Sequence, residues 1–240
     1  MNELLVTKEN STFMGRRKKV FFFGKFRNYV ELSHREYKPE LKNLKMAKDI
    51  FKILTHRSKI LHQAATEALS FPLSLRNEDL IYKTIDTLRY NEGVYAKRGL
   101  AISANQIGSL KRFFVVCDLD VNPLGRRVNV ICNPEIVEVD NEVEEMFEGC
   151  LSIPKYQCLI SRPKRCIVQY QDLNGKTEKK EVHDFLARVF LHEMDHLNGV
   201  IMFDKQLKTV ENPLYAPYLE NLREKRAANK KQKVLQQATQ

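Results

Sequence analysis

The strongest chemistry in this 240-residue chain lies in His192-Glu193-Met194-Asp195-His196, an H-E-x-x-H sequence. On a helix, residues four apart stand about 40° from each other around the axis, one turn apart, so both imidazoles can reach a single metal ion. The glutamate beside the first histidine is placed to move protons during hydrolysis rather than to bind the metal. The surrounding sequence predicts the required helix. Asp184 is a plausible N-cap, Phe185, Leu186, Val189 and Phe190 recur along it, and Asn198-Gly199 is its stop. The plainer explanation of so short a pattern is a helix with two surface histidines, but the helical frame and the glycine stop favour the metal.

Two histidines do not complete a catalytic metal site, which takes three protein ligands and keeps a fourth position for water. In the pattern H-E-x-x-H-x-x-G-x-x-H, Gly199 falls on the glycine, but the last position is Met202. A zinc peptidase with a downstream glutamate ligand could use Glu211 or Glu220, although neither sits in a recognisable supporting motif. The other soft donors are five cysteines. Cys117, Cys132, Cys158 and Cys166 lie in or beside apolar runs and are expected to be small buried hydrophobes. Cys150 stands apart in Glu148-Gly149-Cys150-Leu151-Ser152-Ile153-Pro154, a polar, turn-prone break between strands.

Holding these groups requires a framework, and the pattern supplies a mostly antiparallel β middle followed by the motif helix. Helical spacing of Leu80, Ile81, Thr84, Ile85 and Leu88 predicts a helix over Asn77 to Tyr95. Strands are predicted at Arg112 to Cys117, Val128 to Cys132, Glu135 to Val139 and Arg165 to Tyr170. Asn122-Pro123-Leu124-Gly125 supplies a turn, and Asn174-Gly175 favours the φ > 0 turn of a hairpin. A polar helix is predicted over Tyr218 to Gln237.

The formal charge of +10 is not evenly spread: residues 1–48 carry 12 Lys/Arg against 5 Asp/Glu, and 209–240 carry 6 against 3. The middle, 49–208, balances at 22 of each, so we expect a neutral catalytic body between a basic extension and a basic, helical tail. Such ends suit a polyanion, for example ribosomal RNA or an acidic membrane surface, or serve only solubility. The odd cysteine count, without C-x-x-C pairs or a cleavable signal peptide, points to free thiols in a reducing compartment. Glu3, Glu9 and the scarcity of serine argue against a transit peptide, so cytoplasmic placement is favoured over an organelle. The run Val20-Phe21-Phe22-Phe23 falls far short of the roughly 20 apolar residues of a membrane span.

Three motifs in order resemble those of the peptide deformylase family. Glu148-Gly149-Cys150-Leu151-Ser152 is similar to its E-G-C-L-S motif and His192 to His196 to its H-E-x-D-H motif, both unchanged. Gly99-Leu100-Ala101-Ile102-Ser103-Ala104-Asn105-Gln106 resembles its glycine-rich first motif, with Ala101 in place of a glycine and Ser103 in place of an alanine. A Cβ at 101 is expected to crowd the backbone that pairs with the substrate peptide, where glycine also adopts angles that alanine resists.

The resemblance spans residues 50–208 and implies an α+β fold, with antiparallel β-sheets packed around a central helix carrying H-E-x-D-H. It implies one divalent metal on Cys150, His192 and His196, with ferrous iron favoured and zinc or another divalent ion also suited to the donors. It implies Glu193 as acid/base, the Gln106 amide and Leu151 N–H as oxyanion donors, and a Glu148–Arg162 ion pair behind the cysteine. Leu100, Ala101, Met146, Phe185 and Val189 would meet the substrate. The implied reaction takes the N-formyl group off the initiator methionine of nascent polypeptides, releasing formate. The tail would then contact the ribosome. A non-enzymatic alternative is a ribosome- or RNA-associated protein with a purely structural metal.

Overall fold

A computed structural model describes residues 50–90, 100–117 and 128–238. The expected extension over 1–48, Gly99 of the first motif and the turn at 122–125 lie outside the described residues. The elements in chain order are α1 (Leu75–Tyr90), β1 (Ala101–Ser103), β2 (Phe113–Cys117), β3 (Val128–Val139), β4 (Val143–Gly149) and β5 (Tyr156–Pro163). There follow β6 (Arg165–Gln171), β7 (Thr177–His183), α2 (Asp184–Leu197), α3 (Met202–Lys205), β8 (Lys208–Glu211) and α4 (Tyr215–Ala238). The fold is α+β. One antiparallel sheet has the order β1-β2-β3-β6-β7 and a second has the order β4-β5-β8.

Strand β2 explains how the large sheet is covered. Alternate side chains leave a strand on opposite faces, and here both faces are apolar. Phe113 and Val115 join Ile81, Ile85 and Leu88 of α1 in one core cluster. Phe114 and Val116 join Ala187, Phe190, Met194 and Leu197 of α2 in another. The rings of Phe114 and Phe190 meet edge to face at 5.2 Å. Burial on both sides is why Phe113–Cys117 reads as an unbroken apolar run rather than an alternating one. Helix α2 also packs on β5, so the motif helix touches both sheets. A third cluster joins Cys150, Ile153, Cys158 and Ile160 to Leu61, Ile201 and Met202.

The two strands expected over 128–139 are one strand, β3, with its register shifted between Cys132 and Glu135. Asn133 sits there at φ 48°, a left-handed conformation that asparagine tolerates better than most residues. Its side-chain oxygen accepts from Leu69 N–H at 2.7 Å while its amide donates to Leu69 O at 2.8 Å and to the Gln171 side chain at 2.7 Å. The cap of α2 also differs by one residue: His183 is the N-cap, and Asp184 opens the helix at φ 48°. Gly175 takes the expected positive φ of the hairpin, 82°.

Helix α2 ends as predicted. Asn198 is the C-cap and Gly199 follows at φ 77°, where an added Cβ would lie 2.9 Å from the backbone carbon of Gln63. Both the conformation and the space exclude a side chain. Gly199→Ala is expected to cost at least about 1–2 kcal/mol of unfolding free energy. Urea unfolding checks this, and an unchanged midpoint would contradict the packing described.

Candidate active site

The cysteine loop, the H-E-x-D-H helix and the first motif converge on one point. Cys150 follows directly on β4, and its Sγ lies 3.1 Å from Nε2 of His196. Cys150, His192 and His196 each offer a ligand atom, all within 4.8 Å of one another, the only such group among the described residues. Glu211, a ligand candidate in the peptidase alternative, instead lies exposed on β8, 3.3 Å from Lys155. A thiolate with two imidazoles is a donor set for zinc or another borderline divalent metal such as ferrous iron. The fit is supported by how the His192 ring is held. His192 Nδ1 meets the Glu148 carboxylate at 2.9 Å, so its Nε2 is left to face a metal.

Glu148 is buried, 7% exposed, and its two oxygens take four bonds. Arg162 donates Nε–H to Oε1 at 2.5 Å and Nη2–H to Oε2 at 2.9 Å, in a fork matching the carboxylate. Arg188 donates to Oε1 at 2.7 Å, and His192 completes the set. Arg162 reaches on to Asp195 at 2.7 Å, so the aspartate of H-E-x-D-H is tied into the same network. Arg188 also donates to the Ile160 and Glu144 carbonyls at 3.0 and 2.6 Å. Burial opposes the Glu148 charge, but His192 and Arg162 overcome it and hold the pKa at about 2.

The two imidazoles are driven apart. Burial works against a charged His192, yet its bonds to Cys150 and Glu148 prevail and raise its pKa well above the ordinary value. Burial, and then the neighbouring His192 charge, push His196 well below. A divalent cation would take the place of protons held by this cluster, so loading releases protons and is favoured as pH rises.

Glu193 is 4% exposed, and burial raises its pKa despite opposition from His192 and Ser103. A carboxyl shifted upward in this way is a better proton acceptor than an ordinary one. Gln106 sits in the short 3-10 helix Ala104–Ile107, 1% exposed. Its Oε1 accepts from Ser103 N–H at 2.9 Å, and its Nε2 donates toward Ser152 Oγ at 3.1 Å and Cys150 Sγ at 3.6 Å. Residues before α1 brace both loops: Leu54 N–H binds Gln106 O at 2.8 Å, and His56 N–H binds Ser152 O at 3.1 Å.

A cavity of about 250 Å³ opens beside this cluster. Leu100, Ala101, Gln106, Leu151, Phe185, Val189, His192 and Glu193 line it. Met146, expected among them, does not, and Phe147 takes that place on β4. On a strand a one-residue difference selects the other face, and no apolar period marked which of the two residues borders the cleft. Ala101 pairs with Val116 in regular β1 and is not among the residues of positive φ, so the strain expected there is absent. Arg188 and Ser103 were not singled out for the site. Arg188, a charge in an apolar helical stretch one turn before His192, carried a usable signal.

A cysteine sulfur and two imidazoles beside a buried glutamate, on an α+β frame with an apolar cleft, define a metal-dependent hydrolase. A sequence model described as polypeptide deformylase matches residues 50–212. A peptide deformylase of Thermotoga maritima is 36% identical over 156 residues, covering 65% of this chain and 87% of that protein. Another from a Thermotoga species is 41% identical over 128 residues, covering 53% and 73%. The crystal structure of peptide deformylase from Thermotoga maritima superposes with a TM-score of 0.58 at 32% identity, over 67% of this chain and all of that one. The chain belongs to the peptide deformylase family, and its reaction is removal of the N-formyl group from nascent polypeptides.

Removing Arg162 leaves Glu148 and Asp195 with one buried cation fewer. Arg162→Ala should cost about 3 kcal/mol of stability and weaken metal binding about 10- to 100-fold. Calorimetry and metal titration check this, and unchanged values of both would refute the supporting role. The Glu148 contribution has a direction in pH. Its folded pKa is depressed, so the stability it adds is full above its ordinary value of 4.5 and is lost as pH falls toward about 2.

Proposed function

We propose that Cys150, His192 and His196 hold one divalent metal, ferrous iron by preference, and that Glu193 is the acid/base of deformylation. The observation that carries this is the approach of the three ligand atoms to within 4.8 Å, beside a buried glutamate. A divalent cation bound there acts as a Lewis acid, lowering the pKa of water to about 7. Glu193 accepts a proton from the attacking water as its oxygen adds to the formyl carbon. Gln106 Nε2–H and Leu151 N–H donate to the formyl oxygen as negative charge develops, each worth about 10²–10³ in rate. Glu193 then delivers the proton to the leaving nitrogen as the C–N bond breaks, giving formate and a free amine.

The methionine side chain enters the apolar part of the cleft, formed by Leu100, Phe147, Phe185 and Val189. Ala101 lies in β1 at the edge of the large sheet, where a substrate strand can add by backbone hydrogen bonds. The chain works in the cytoplasm, and the basic helix α4 contacts the ribosome near the emerging polypeptide. Its sequence charge supports the latter, and no helix among the described residues is long and apolar enough to cross a membrane.

Glu193→Ala should keep its metal and lose at least about 10²–10⁴ in turnover of a short formyl-methionyl peptide. Cys150→Ser should lose the metal. Near-normal turnover in the first variant, or full metal content in the second, would sink these assignments. Deleting residues 218–240 should weaken ribosome co-sedimentation and leave turnover of the short peptide unchanged, and the reverse pattern would refute the docking role.

A further inference from the structure

The Glu193 carboxylate has a partner from the first motif. Ser103 is fully buried at the end of β1, and its hydroxyl donates to Glu193 Oε2 at 2.5 Å, with the Glu193 backbone oxygen 3.1 Å away. Its backbone N–H donates to Gln106 Oε1 at 2.9 Å, which turns the Gln106 amide N–H groups toward Ser152 and Cys150. One residue therefore touches both the acid/base and an oxyanion donor, by different atoms. Ser103 is also where the chain departs from the alanine of the family motif.

We infer that Ser103 is a positioning residue for deformylation, its hydroxyl holding Oε2 of Glu193 so that Oε1 carries the transferred proton. The inference rests on the roles proposed for Glu193 and Gln106 above. A glutamate side chain has three rotatable bonds, and proton transfer requires the acceptor oxygen within hydrogen-bond reach of the reacting water. A hydroxyl-to-carboxylate bond is charge-assisted and stronger than a neutral one. It acts inside a buried pocket, where it holds one orientation of the carboxylate at the cost of the others. The backbone bond to Gln106 persists whatever side chain occupies 103, so the two contributions separate by mutation.

The test compares wild type, Ser103→Ala and Ser103→Thr, each loaded with metal, for kcat, KM, metal content and melting temperature. Ser103→Ala should lower kcat by about 10- to 100-fold with KM, metal content and melting temperature unchanged. Ser103→Thr, which restores the hydroxyl, should recover most of the loss. A crystal structure of Ser103→Ala should show the Glu193 carboxylate in more than one orientation. A kcat for Ser103→Ala within twofold of wild type would overturn the inference. A loss that follows metal content or melting temperature, or that threonine does not repair, would also overturn it, by showing a merely structural role. Wild type that releases no formate would instead overturn the assigned reaction, so the two failures are distinguishable.

Discussion

The site depends on one buried carboxylate. Glu148 lies next to the end of strand β4, two residues before Cys150, and an isolated charge at that depth would cost several kcal/mol. It is stable there because Arg162 of β5, Arg188 of α2 and His192 of α2 fill its acceptor positions. The same bonds that satisfy the charge fix the distance between the cysteine loop and the motif helix. Arg162 extends the network to Asp195, and Asp195 binds Lys205 of α3 at 2.7 Å. Metal affinity, ring orientation and the docking of the small sheet on α2 are thus one problem with one electrostatic solution.

Helix α2 divides its labour by face. Ala187, Phe190, Met194 and Leu197 bury themselves in the large sheet's core, while Arg188, His192, Asp195 and His196 turn to the small sheet and the cysteine loop. The i, i+4 relation that joins His192 to His196 also joins Arg188 to His192, so a single stripe carries the candidate ligands and their support. Glu193 lies beside this stripe and faces β1, where Ser103 and the Gln106 turn complete the wall. Packing of the core therefore sets the position of the chemistry, because the helix cannot rotate without moving both.

Much of this was legible in the residues. The motif helix with its glycine stop and the apolar strand β2 follow from spacing and composition, and the ion pair between Glu148 and Arg162 is what the family resemblance implies. The parts missed have physical reasons. Strand β7, Thr177–His183, is a charged edge strand, and polar edges give no apolar period. Strand β3 continues through Asn133-Pro134 because the asparagine side chain bonds across to Leu69, a contact 64 residues away in sequence. The exchange of Phe147 for Met146 on the cleft reflects strand register, which depends on pairing with β5 and not on local composition. The basic charge at both ends of the sequence is legible too, but what it binds is a property of a partner.

The proposed chemistry makes hydrolysis depend on a metal held by Cys150, His192 and His196. The most direct measurement strips the protein with a chelator under anaerobic conditions, then adds ferrous iron stepwise and follows bound metal and formate release from a formyl-methionyl peptide together. Formate release should rise in proportion to metal and saturate at one equivalent per chain. Full activity in the stripped protein, or a fully loaded protein that releases no formate, would contradict it.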